Sequence, residues 1–214
     1  MSSNRKVKEE IITLLIEHSR IIYDVTSDMG VYYSTWAEDI ESNKENLEKK
    51  KTKMQLSEEE ADELKIRLIK NFSEAEAFNL GAYVNLVLRM DNIINYPLEF
   101  VDMLTKIKIK GKNAKEIKKN YHKLLNQVME MVDVLKTAIK NLRDKPDLVF
   151  ENTTTIHQHE SEIDRTYRHF LEFIYSNVED FRILLRIRDS IVLLEQMADR
   201  IHDIADLMRV LLYQ

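Results

Sequence analysis

Apolar residues recur along this chain at steps of three and four, the pattern of helices that bury one stripe and wet the other faces. Over about residues 5–39 the stripe is Ile11, Ile12, Leu15, His18, Ile22, Val25, Met29, Tyr32, Tyr33 and Trp36, with Gly30 tolerated inside it. A polar patch at 41–43 then separates a second helix, expected to run to about Ser73. Its basic run, Lys49, Lys50, Lys51 and Lys53, reads as a solvated face. Asn79 and Gly81 mark the next turn, and Tyr83, Val84, Val87, Met90, Ile94 and Leu98 form a third stripe toward Ile109. Pro97 should kink this helix, because proline lacks an N–H and its ring crowds the carbonyl of Ile93.

Gly111 is expected to end the third helix, and Asn113 with Glu116 three residues on has the spacing of a capping box for a fourth. That helix should reach about Arg143. Asp144-Lys145-Pro146 is a stop and a restart, since proline fits the first turn of a helix. A fifth helix follows to about Asn177; its stretch 152–155 is poor in helix formers, so its firm part begins near His157. The sixth spans about 179–212, with Leu184, Ile191, Leu194, Ala198, Ile201, Ala205, Met208 and Leu212 on one face. The fold class is all-α: six long helices in two sets of three.

Composition agrees. Three glycines and two prolines in 214 residues are too few to punctuate a sheet protein. A net charge of −5 supplies no basic field for nucleic acid. There is no cysteine, so any metal would be held by oxygen or imidazole, and a reducing compartment fits. The charged first residues lack a signal-peptide core, and no apolar run approaches the roughly 20 residues of a membrane span, which points to the cytoplasm.

Carboxylates four apart stand out: Glu58 with Asp62, Glu160 with Asp164, and Glu195 with Asp199 and Asp203. Four residues is about one helical turn, so each pair stacks on one face at a cost of a few tenths of a kcal/mol that a cation would relieve. With 37 acidic residues such pairs also arise by chance and can be neutralised by nearby arginine, as Arg168 could do for Asp164. The spacing gains weight because it repeats. Residues 58–64 parallel 160–166, and Arg89-Met90-Asp91 with Asn95 parallels Met197-Ala198-Asp199 with Asp203. A duplicated three-helix unit follows, with boundaries at 1–110 and 111–214.

Those motifs, above all the run Leu194-Glu195-Gln196-Met197-Ala198-Asp199-Arg200-Ile201-His202-Asp203-Ile204-Ala205-Asp206, resemble PhoU-like proteins, in particular the short phosphate-transport-regulator or Pit-accessory branch. The resemblance spans nearly the whole chain. It implies two three-helix bundles whose acidic motifs hold metal ions: Glu58, Asp62 and Asp91 in the first half, and Glu160, Asp164, Glu195, Asp199 and Asp203 in the second. In the first half Val87 stands where the repeat would place the leading Glu and Asn95 where it would place the closing Asp, so the second site should bind more strongly. Iron, manganese, magnesium or zinc suits such ligands, zinc if a histidine joins.

Of the histidines, His159 and His202 are the candidates for that role. His157 and His159 point about 160° apart on a helix and cannot readily chelate together. His18 reads as a core residue. Tyr167, Phe170, Phe173, Tyr175 and Phe181 read as packing. A ferritin-like oxidase would need two Glu-x-x-His motifs, which the chain lacks, as it lacks phosphate loops and hydrolase elbows. The expected function is therefore that of a metal-binding regulator of phosphate transport, not an enzyme, whose partner is a phosphate transporter or its signalling protein and whose membrane association is at most peripheral. A metal-free helical scaffold is the alternative, a carboxylate-bridged metal enzyme the more distant one, and the oligomeric state stays open.

Overall fold

The computed structural model describes residues 2–74 and 81–212, with side chains from 8 to 71 and from 81 to 212. Six α-helices make up the described chain: α1 (Ser2–Glu38), α2 (Lys44–Glu74), α3 (Gly81–Leu104), α4 (Ala114–Asp144), α5 (Val149–Asn177) and α6 (Phe181–Leu212). There is no strand among the described residues. The turn expected at Asn79 lies outside them, and Gly81 opens α3.

The apolar stripes become the core. Every residue of the α1 stripe is buried, His18 included. On α6 the stripe from Ile191 to Met208 is buried and only its ends, Leu184 and Leu212, are partly exposed. Helices α1, α2 and α3 pack on one another, as do α4, α5 and α6, and the two sets join where α1 lies on α4 and α3 on α6. Tyr121 of α4 sits at that junction. Its ring meets Phe170 of α5 edge-on at 5.0 Å and lies near Phe100 of α3 and Tyr33 and Trp36 of α1. Its buried hydroxyl shares a 2.5 Å hydrogen bond with Ser190 of α6, so one side chain ties four helices to a fifth.

Several local expectations change. The third helix stops at Leu104, not Ile109, because the amides of Lys106 and Ile107 bond three residues back and tuck Ile107 into the core. Gly111 then makes the turn into α4 at φ 89, where a side chain would be strained. Asn113 does not form the expected capping box. Its backbone is in the αR region rather than the extended form a cap needs, and its amide donates to the Asn177 carbonyl at the end of α5. Asp180 provides the cap for α6, accepting from the amides of Arg182 and Ile183.

The weak stretch at the start of α5 is helical from Val149. Thr153 and Thr154 bond to the Phe150 carbonyl and Thr155 to that of Glu151, while Val149, Thr153 and Ile156 are buried, so tertiary packing overrides propensity. Of the five aromatics expected as packing, Phe170 is fully buried, whereas Tyr175 is 51% and Phe181 68% exposed. The basic run is not uniformly solvated either: Lys51 pairs with Asp102 of α3 at 2.6 Å and is 25% exposed.

Candidate metal centre

Helices α5 and α6 run antiparallel, and their acidic motifs meet along the seam. Glu195 feels Asp199 on its own helix and Asp164 and Glu160 across the seam, and its pKa is raised by burial first and then by these charges. Asp199 is likewise raised by burial and by Glu160, with smaller contributions from Asp203 and Asp164 against an opposing one from His202. Four of the five expected second-half residues therefore share one field. Asp164 also accepts from Arg168 at 2.5 Å, one turn along α5.

Asp203 is placed differently. Its Oδ2 receives Arg89 of α3 at 3.1 Å and Arg200 at 3.3 Å, so two guanidinium groups occupy it at the join between the two sets of helices. This expected ligand is thus engaged in ion pairs, one of them reaching from α6 to α3.

The first-half residues also come together, and Lys65 sits among them. Its ammonium bridges Asp62 and Asp91, at 2.7 Å from the latter. Glu58 is close enough that Asp62 and Asp91, after burial, raise its pKa. The Nε2 atom of His18, wholly buried, lies 3.6 Å from the other Asp91 oxygen. Burial alone would push the Asp91 carboxyl up, but His18 and Lys65 outweigh it and hold the group below the usual carboxylate range. A lysine charge here occupies the position between carboxylates that a metal would take. Lys65 stands seven residues after Glu58 and three after Asp62, on the same helical face, a signal present in the spacing. The repeat places Tyr167 at the corresponding point of α5, where burial and then Glu195 raise its phenol. The first seam carries a cation and the second a neutral ring.

One further grouping was only half visible. His157 of α5 and His202 and Asp206 of α6 each offer a ligand atom within 4.8 Å of the others, and among the described residues this is the one set of three that does so. The eight carboxylates named from the motifs contain no such set among the described residues. His202 Nε2 lies 3.1 Å from His157 Nδ1, and Asp206 Oδ1 lies 3.1 Å from His157 Nε2. Burial, then His202 and Arg209, keep the His157 pKa below its ordinary value. His202 and Asp206 are four apart, a chelating spacing that could have been read alongside the acidic pairs.

The like-charge repulsion at Glu195, only partly offset by Arg168, predicts a pH effect. A carboxyl whose folded pKa is raised is penalised once pH climbs through that value, and the penalty is absent below the unfolded one. Glu195 should therefore make the metal-free protein more stable on mild acidification, as pH falls through the region just above the ordinary 4.5. Glu195→Gln is expected to stabilise the protein at pH 7 in chelator by about 1 kcal/mol, from two or three like-charge contacts of a few tenths each, and to flatten that slope. Thermal melts of both proteins between pH 4 and 8 check it; equal slopes would refute the repulsion.

No family model matches the chain, and neither does any curated protein. Solved structures do. A PhoU-like protein from Shewanella oneidensis MR-1 superposes with a TM-score of 0.81 at 15% identity, covering 94% of this chain and 99% of its own. Another chain from the same organism, described as a PhoU-like phosphate regulatory protein, gives 0.81 at 14% identity over 95% and 99%. No helix among the described residues is long and apolar enough to cross a membrane. Its structural neighbours are PhoU-like proteins, and over nearly its whole length the chain has their fold.

Proposed function

We propose that this chain is a cytoplasmic, metal-binding regulator of phosphate transport of the short Pit-accessory type, acting by contact with a transporter or its signalling partner rather than by catalysis. The observation that carries the metal part is the α5–α6 seam, where burial and then the neighbouring carboxylates, Glu160 and Asp164 among them, raise the proton affinity of Glu195 and Asp199, with no lysine among them and Arg168 paired to Asp164 alone. Groups that repel in this way bind a divalent or trivalent cation, whether iron, manganese, magnesium or zinc, and release the strain. The regulatory part is supported by the shared fold and by the description of one neighbour as a phosphate regulatory protein.

The two units, 1–110 and 111–214, then divide the work. The first is closed by its own lysine and serves as a structural half, and the second takes the ion. Loss of the gene should alter phosphate uptake by the host cell, and wild type should restore it. The Glu160→Ala, Asp199→Ala double variant should fail to restore it while remaining folded. Unchanged uptake on deletion would overturn the regulatory reading, and full rescue by the double variant would overturn the role of metal in it.

A further inference from the structure

We propose that His157, His202 and Asp206 form a second, distinct metal site, selective for zinc-class transition ions, one helical turn beyond the carboxylates on the α5–α6 seam. It goes beyond the reading above, which uses only the acidic motifs. Imidazole nitrogen favours zinc and its neighbours in the first transition row, whereas magnesium and calcium favour oxygen alone, so the two sites differ in the ions they select.

The spacing of the two nitrogens already matches a shared ion, and the rings, 4.0 Å apart between centroids, would splay slightly to aim at it. Two nitrogens each about 2.0–2.1 Å from one ion are separated by roughly 2.9 Å in an octahedral site and 3.3 Å in a tetrahedral one. His157 Nδ1 and His202 Nε2 are 3.1 Å apart. The Asp206 carboxylate completes the set, with Oδ2 4.0 Å from His202 Nε2. Residues 202 and 206 are one turn apart on a single helix and the third ligand comes from its antiparallel partner, so the backbone holds all three. A solvent-open depression of about 300 Å³, lined by Gln196, Asp199, Arg200, His202 and Asp203, adjoins it and leaves room for water as a further ligand.

A simple hydrogen-bonded relay from His202 through His157 to Asp206 is the competing account. It is only half made. The His202–His157 contact has hydrogen-bond geometry, but His157 Nε2 has no aligned hydrogen bond although Asp206 Oδ1 lies 3.1 Å away. Arg209, whose charge acts on His157, is engaged elsewhere: it donates to Thr153 and Thr154, each at 3.0 Å, and lies over the Phe150 ring.

The test is a titration of the purified full chain with zinc, and separately with magnesium, followed by calorimetry and by the ¹⁵N resonances of the histidine rings. Zinc is expected to shift His157 and His202, and magnesium to leave them unmoved. His157→Ala, His202→Ala and the conservative His202→Gln should each lower zinc affinity at this site about a hundredfold or more, since even second-shell partners are worth ten- to a hundredfold. Their magnesium uptake should stay at the wild-type level, which also reports that the seam is folded. The Glu160→Ala, Asp164→Ala double variant should keep the zinc-induced ring shifts. Unmoved ring nitrogens, wild-type zinc affinity in the histidine variants, or loss of the shifts in the carboxylate variant would each overturn the proposal. The last result would do so by merging the two sites into one.

Discussion

Replacing Lys65 with methionine should lower the unfolding free energy at pH 7 by about 2–3 kcal/mol. The methionine keeps most of the aliphatic stem in place and removes only the charge. What remains is Asp91, 16% exposed, with Asp62 and Glu58 beside it and no ammonium between them. Breaking a fully buried pair costs about 3–5 kcal/mol, and the partial exposure of Lys65 at 23% brings the figure down through solvent screening.

The pH dependence should change with it. Asp91 is held below its ordinary value of 3.8, so in wild type its stabilising contribution is present above that value and lost as pH falls through the lower, folded one. Without Lys65 that acid-side loss shrinks. Urea unfolding at pH 7 and pH 3 measures both effects. Adding manganese should restore part of the stability to the variant, because three carboxylates then lack their internal cation. A variant within about 0.5 kcal/mol of wild type would show that Lys65 is an ordinary surface partner.

Divalent ions should raise the melting temperature of wild type through the second seam. An ion that binds only the folded chain adds about 2.7 kcal/mol at a hundredfold excess over Kd. For a chain of this size that corresponds to roughly 5–10 °C. In manganese or magnesium, Asp199→Ala and Glu160→Ala should remove most of the shift, with Asp199→Asn as the isosteric control, whereas zinc should keep part of it through the histidine site. Asp91→Ala should leave it intact, since Lys65 already fills that seam. Asp203→Ala should also retain much of it, because that carboxylate is bound to Arg89 and Arg200. Identical melting in chelator and in iron, manganese, zinc or magnesium would turn the acidic line into ordinary surface and favour the scaffold reading.

The secondary structure was legible because an amphipathic helix writes its buried face into the sequence at a fixed period. The stripe from Ile11 to Trp36 needed no partner to be recognised, and the same holds for Ile191 to Met208. The acidic pairs and their repetition were legible for the same reason, since residues four apart share a face whatever packs against it. Helix ends were less so. Ile109 and Asn113 were misplaced because their backbone follows contacts from other elements, the core that receives Ile107 and the Asn177 carbonyl that draws away the Asn113 amide.

What only the tertiary structure decided is every relation between helices. Lys65 lies on the acidic face of α2 by spacing alone, but that its ammonium reaches Asp91 on α3 depends on how far one helix slides along the other. The pairing of Asp203 with Arg89 crosses from α6 to α3, between the two sets of three helices, where no local pattern could point to it. His157 and His202 are 45 residues apart and meet because the antiparallel register of α5 and α6 sets them opposite one another. Period is a property of one helix and can be read from its residues in order, whereas register is a property of two, set by how their side chains interlock.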